Sequence, residues 1–260
     1  MNKGFFSVNN VLIAIFALEL LALTFRGNNE IILILVLAQL LIYFVKVRTD
    51  EIHFTHTSQL QLPALKSKEI LVHGFNHYIL PLTQIIAVNL FFFTYESYQL
   101  YLVQIALNIL LLSIVLKNTL AWLENKFIIE AQTHYIYDIN STFILFNSFW
   151  AGTIFLTSYS NPLITAIVLF FLYLVALLLT LLRYHMNRFS RAGILFVVIN
   201  LLFFILAAYV WGSSLKFVAA ITFSYYISLS ALHHYLNKDF KWGLVLEYAI
   251  LTGIILILLY

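Results

Sequence analysis

His73 and His77 stand four residues apart in the stretch ILVHGFNHYILP, and His233 and His234 stand side by side in ALHHYLNK. Residues i and i+4 share a helix face, so the first pair presents two imidazoles to one object. Neutral imidazoles bind iron, zinc or copper, and a further nitrogen or a carboxylate completes such a set. Glu124, Glu130, His134 and His185 are candidates to complete it. A metal held this way activates dioxygen when the protein keeps coordination positions open and excludes water. Pro81 lies four residues beyond His77. It has no N–H and clashes with the carbonyl of residue i−4, which predicts a kink there and a His77 carbonyl released from its helical bond. The alternative is that the four histidines lie at a membrane interface, make hydrogen bonds and hold no metal.

A second group carries charge or polarity inside apolar runs. Glu19 and Glu247 are carboxylates in such runs, accompanied elsewhere by Gln39, Gln104, Asn108, Asn147 and Asn200. Intramembrane acids face a bundle interior or a wet cavity and mark proton or ion routes. The amides read as cross-helix hydrogen bonds.

The elements that must position these groups are membrane helices. The chain is 63% hydrophobic and 10% charged, with a mean hydropathy of +0.96. A soluble domain carries about a quarter charged residues. The expected fold is therefore all-α, a polytopic transmembrane bundle of eight to nine spans. Nine candidates of about 20 residues are visible. They are 6–25, 30–45, 70–94, 100–116, 141–158, 162–182, 193–211, 215–236 and 242–260. Asn161 followed by Pro162 reads as a cap with proline at the first helical position. The segment 46–69 lacks periodicity, whereas 117–140 repeats as a helix and reads as an interfacial helix or an extension of the fourth span. Ser224 with Ser228, and Ala249 with Gly253, have the small-residue spacing of close helix approach.

An N-terminus on the cytoplasmic side places all of the 14 Lys and Arg inside except Arg26 and Lys216. The compartment expected is the cytoplasmic membrane of a prokaryote. All eight histidines then fall on the cytoplasmic side. No linker or repeat divides residues 1–260, which read as a single integral membrane domain. No basic cluster suits a nucleic acid. The partners expected are the lipid bilayer and a lipid-like small molecule. Cysteine is absent, which excludes disulfides and thiolate metal sites.

HGFNH, from His73 to His77, resembles the histidine motif of Brp/Blh-type membrane carotenoid dioxygenases. SALHHY, from Ser230 to Tyr235, is similar to that family's later histidine segment. The resemblance covers those two patches alone. It implies iron held by His73, His77, His233 and His234, acting on an apolar substrate. The family's first motif carries an acid where this chain has Asn76, and its first span has a histidine, whereas none precedes His53 here.

Two functions are therefore expected. One is a membrane oxidoreductase with a His-ligated metal near the cytoplasmic leaflet and a lipid-like substrate. The other is a non-catalytic membrane protein, a small transporter or a subunit of an assembly, in which Glu19 and Glu247 are the working residues.

Overall fold

A computed structural model of the chain describes residues 7–57, 74–94, 98–124, 131–159, 161–184, 191–212 and 214–236, with 243, 246, 248–250, 252 and 253. All elements among the described residues are helices. Helix α1 is Val8–Thr24 and α2 is Asn29–Thr57; a π-helical turn, Phe75–Ile79, leads into α3, Leu80–Thr94. Then follow α4 (Tyr98–Glu124), α5 (Ala131–Tyr159), α6 (Pro162–Arg183), α7 (Arg191–Trp211) and α8 (Leu215–Leu236).

Local chemistry sets the helix ends. The Ser7 hydroxyl accepts the Asn10 N–H at 3.3 Å and caps α1. Gly27, at φ 96°, turns the chain in the left-handed region, and Asn28 Oδ1 then accepts the Ile31 N–H at 3.2 Å to start α2. Asn161 Oδ1 accepts the Leu163 N–H at 2.9 Å, with Pro162 opening α6.

Among the described residues, five helical stretches are long and apolar enough to cross a membrane: Asn29–His53, Phe75–Phe92, Tyr98–Ala121, Leu163–Leu182 and Arg191–Trp211. The shorter α1 is also apolar. Polarity is distributed inside out. Leu33, Leu41, Leu163 and Leu202 are exposed, whereas Glu19, Gln39, Gln84, Asn108 and Asn200 are fully buried. Water would reverse that arrangement; hydrocarbon favours it, because buried polar groups then bond one another. The chain is accordingly a multi-helix membrane protein.

Helix lengths depart from the hydropathy pattern in two places. Helix α2 continues past Val45 to Thr57, into a stretch without strong sequence periodicity. Lys46 pairs with Asp50 at 2.7 Å and Arg48 with Glu51 at 3.0 Å, each across one turn, and these pairs carry the helix beyond its apolar run. Of the polar segment 117–140, the part up to Glu124 extends α4, as one of its two readings expected, whereas α5 begins at Ala131, ahead of the apolar run from 141.

Two compact units, Met1–Asn147 and Ser148–Tyr260, divide the chain. The first has a core of Val11, Leu12 and Ile15 against Tyr43, Val47, Ile85, Leu112 and Leu116. The second is built on aromatic rings. Phe204 stacks on Tyr173 at 5.6 Å and meets Phe217 edge-on at 5.2 Å.

Candidate functional site

Pro81 explains the geometry at His77. The π turn that precedes it bonds over five residues, as in Leu80 N–H to the Phe75 carbonyl. The His77 carbonyl, which cannot meet an N–H from Pro81, receives the Tyr43 hydroxyl of α2 at 3.0 Å. The His77 ring is 2% exposed. Its Nδ1 lies 2.8 Å from Thr119 Oγ1 and 3.4 Å from the Tyr137 hydroxyl. Thr119 donates its one proton to the Val115 carbonyl at 2.9 Å. With that proton given to Val115, Thr119 can accept from a His77 Nδ1–H, the tautomer that makes Nε2 the basic nitrogen. Asn76 is buried beside it, with no partner for its Oδ1 among the described residues.

In the second unit, His233 is 2% exposed near the C-terminal end of α8, and His234 is half-buried. His233 Nδ1 lies 3.3 Å from the Tyr184 hydroxyl, just beyond α6. The neighbouring face of α8 borders a different feature. Between α7 and α8 lies a groove of about 600 Å³, reaching Thr252 on the far side. It runs along α7 from Arg191 to Phe203 and along α8 from Ala220 to Tyr235. Its α8 wall carries small residues, Ala220, Ser224, Ser228 and Ala231, near one-turn steps. Arg191, at the start of α7, is exposed and has no ion pair among the described residues.

A third polar group occupies the first unit. Gln84 of α3 donates to Asn108 of α4 at 2.6 Å, and Asn108 donates in turn to the carboxylate of Glu19 on α1. Asn89 of α3 donates to Gln39 of α2 at 3.2 Å. These amides bond across helices, as intramembrane amides are expected to do.

His77 belongs to the first unit and His233 and His234 to the second, while His73 and Glu247 lie outside the described residues. Glu130 and His185 also lie outside them. Among the described residues, no three His, Asp or Glu side chains come together in a way that could hold a metal. Sequence reasoning did not anticipate Tyr43, Thr119, Tyr184 or the groove. The small residues of α8 were its one visible sign, and they serve close packing equally well. No protein-family model, curated protein or solved structure matches the chain. The carotenoid-dioxygenase resemblance therefore stands on its two histidine patches alone.

Proposed function

We propose that the chain is a nine-span membrane protein, its N-terminus cytoplasmic, that takes up a lipid-like amphiphile with an acidic headgroup. The α7–α8 groove supports this reading. From Arg191 to Phe203 the helix rises about 18 Å, somewhat more than half of the roughly 30 Å hydrocarbon core. One acyl chain of a single leaflet has that reach. A volume of about 600 Å³ lies in the usual range of small-molecule sites. Arg191 supplies the opposite charge at one end, on the first turn of α7, where the helix dipole also favours an anion. The distribution of Lys and Arg favours the cytoplasmic leaflet for that end. The occupant enters sideways from the bilayer between the two helices.

Binding of a radiolabelled long-chain fatty acid to detergent-purified protein tests the proposal. Saturable binding is expected, weakened about tenfold by Arg191→Gln, as loss of one charged hydrogen bond implies. Ala231→Phe should abolish it while the melting temperature is kept. Unsaturable binding, equal in all three proteins, overturns the reading.

One observation favours a second, catalytic reading, an oxidoreductase that binds iron, zinc or copper through His77. His77 is buried with its Nδ1 2.8 Å from Thr119 Oγ1, a contact of the kind that orients the ring of a metal-bound histidine. Elemental analysis of the purified protein beside His73→Ala/His77→Ala decides it. Stoichiometric metal that disappears in the variant supports catalysis. Protein that binds none of the three metals on reconstitution removes it.

A further inference from the structure

The hydrogen-bond accounting around Glu19 does not close. Glu19, Gln84 and Asn108 are fully buried and Gln104 is 8% exposed. Gln84 Nε2 donates to both oxygens of Asn108, Oδ1 at 2.6 Å and the backbone carbonyl at 3.1 Å. Asn108 Nδ2 donates to Glu19 Oε1. Every N–H in this line therefore points along it towards the carboxylate. Three acceptors remain without a donor among the described residues: Glu19 Oε2, Gln84 Oε1 and Gln104 Oε1. Gln104 and Asn108 are one turn apart on α4, so they share the face that meets Glu19. The same helices α1, α3 and α4 supply Ile15, Ile85 and Leu112 to the apolar core of this unit.

An unpaired carboxylate in such a place is strongly unfavourable, and each orphaned acceptor adds to the cost. The basic side chains among the described residues of the first unit are engaged elsewhere or exposed, Arg48 being paired with Glu51 and Lys117 lying at the surface. Lys46 is paired with Asp50, and Arg26 lies over the Tyr101 ring, 5.0 Å from its centroid. A bound water would donate two protons and leave the charge in place. Either a proton on Glu19 or a cation held by these oxygens supplies the missing charge, and only the cation also gives partners to Gln84 Oε1 and Gln104 Oε1.

We infer that the first unit holds a buried site for a single alkali cation, with Glu19, Gln84 and Gln104 as oxygen ligands and Asn108 orienting the first two. One carboxylate balances one charge, and amide and carboxylate oxygens are the ligands that hard cations take. Neutral oxygens beside a lone acid suit sodium rather than a divalent ion.

Thermal unfolding of the purified protein in sodium, lithium, potassium or choline chloride, at constant ionic strength and pH 8 (about the upper end of the usual stability range), tests this. A ligand that binds only the folded state raises the melting temperature saturably. Sodium should do so while choline does not, and Glu19→Gln should remove the response. Gln104→Leu, which leaves the Glu19–Asn108 bond intact, should raise the half-saturating sodium concentration about tenfold, the ratio expected for one lost ligand. This variant also keeps the test open should Glu19→Gln fail to fold. Gln39→Leu, on the neighbouring Asn89 pair, should leave sodium dependence unchanged. The inference is overturned by a melting temperature indifferent to all four salts, or by a sodium response retained in Gln104→Leu at full affinity. Stabilisation that follows falling pH and not sodium also overturns it, by identifying the missing charge as a proton on Glu19.

Discussion

The Tyr43 hydroxyl on α2 donates to the His77 carbonyl across 3.0 Å, at the point where Pro81 removes the N–H that a regular helix would supply. The bond joins two helices at the turn that carries a buried histidine. It also explains why a fully buried tyrosine is tolerated there, since its hydroxyl has an acceptor that the helix cannot use.

Tyr43→Phe should therefore destabilise the protein by about 1 kcal/mol, between the transmembrane average and the cost of an orphaned buried carbonyl. Pro81→Ala restores a backbone N–H at the position four residues beyond His77. In that background the Tyr43→Phe cost should shrink towards zero. Unfolding curves for the two single variants and the double variant measure the coupling. Additive losses would show that the tyrosine and the proline act independently.

How much of this was legible in the sequence depends on range. Pro81 and the Asn161–Pro162 cap act within one turn, so their effects on the backbone follow from local covalent geometry. Tyr43 lies 34 residues from His77, and nothing local says that α2 and the π turn are neighbours. Glu19 stands out as an acid in an apolar run, but its partner Asn108 is 89 residues away. Hydropathy also misplaced the end of α2. It measures transfer to hydrocarbon, whereas Lys46, Arg48, Asp50 and Glu51 prolong the helix by pairing along its surface. The histidines at 77 and 233 were legible as helix-end groups; their burial and their neighbours were not.

In the second unit Asn200 is the polar hub. It accepts the Tyr173 hydroxyl at 2.8 Å and donates to Ser228 at 2.8 Å and to the Phe196 carbonyl at 2.8 Å. Asn200→Leu should cost about 2–3 kcal/mol, because it strands the buried Tyr173 hydroxyl as well as losing its own bonds. Tyr173→Phe removes one bond and should cost about 1 kcal/mol, and less again when Asn200 is already Leu. Chemical unfolding in mild detergent gives both values. Equal costs for the two variants would mean that Asn200 contributes through packing alone.

Lys46 and Asp50 form the last testable pair. Their side chains are 5% and 15% exposed and 2.7 Å apart, so the pair lies largely out of water. Burying two charges is costly, and their attraction offsets that cost only while both are present. Lys46→Met should therefore destabilise by about 3 kcal/mol, since it leaves the Asp50 carboxylate without its cation. The double variant Lys46→Met/Asp50→Leu removes both charges and should recover most of the loss. Far-ultraviolet circular dichroism should register the single variant separately, as a small loss of helix at the polar end of α2, because the same pair carries the helix past Val45. If the double variant is as unstable as the single one, the pair's contribution lies in helix continuation rather than in charge neutralisation.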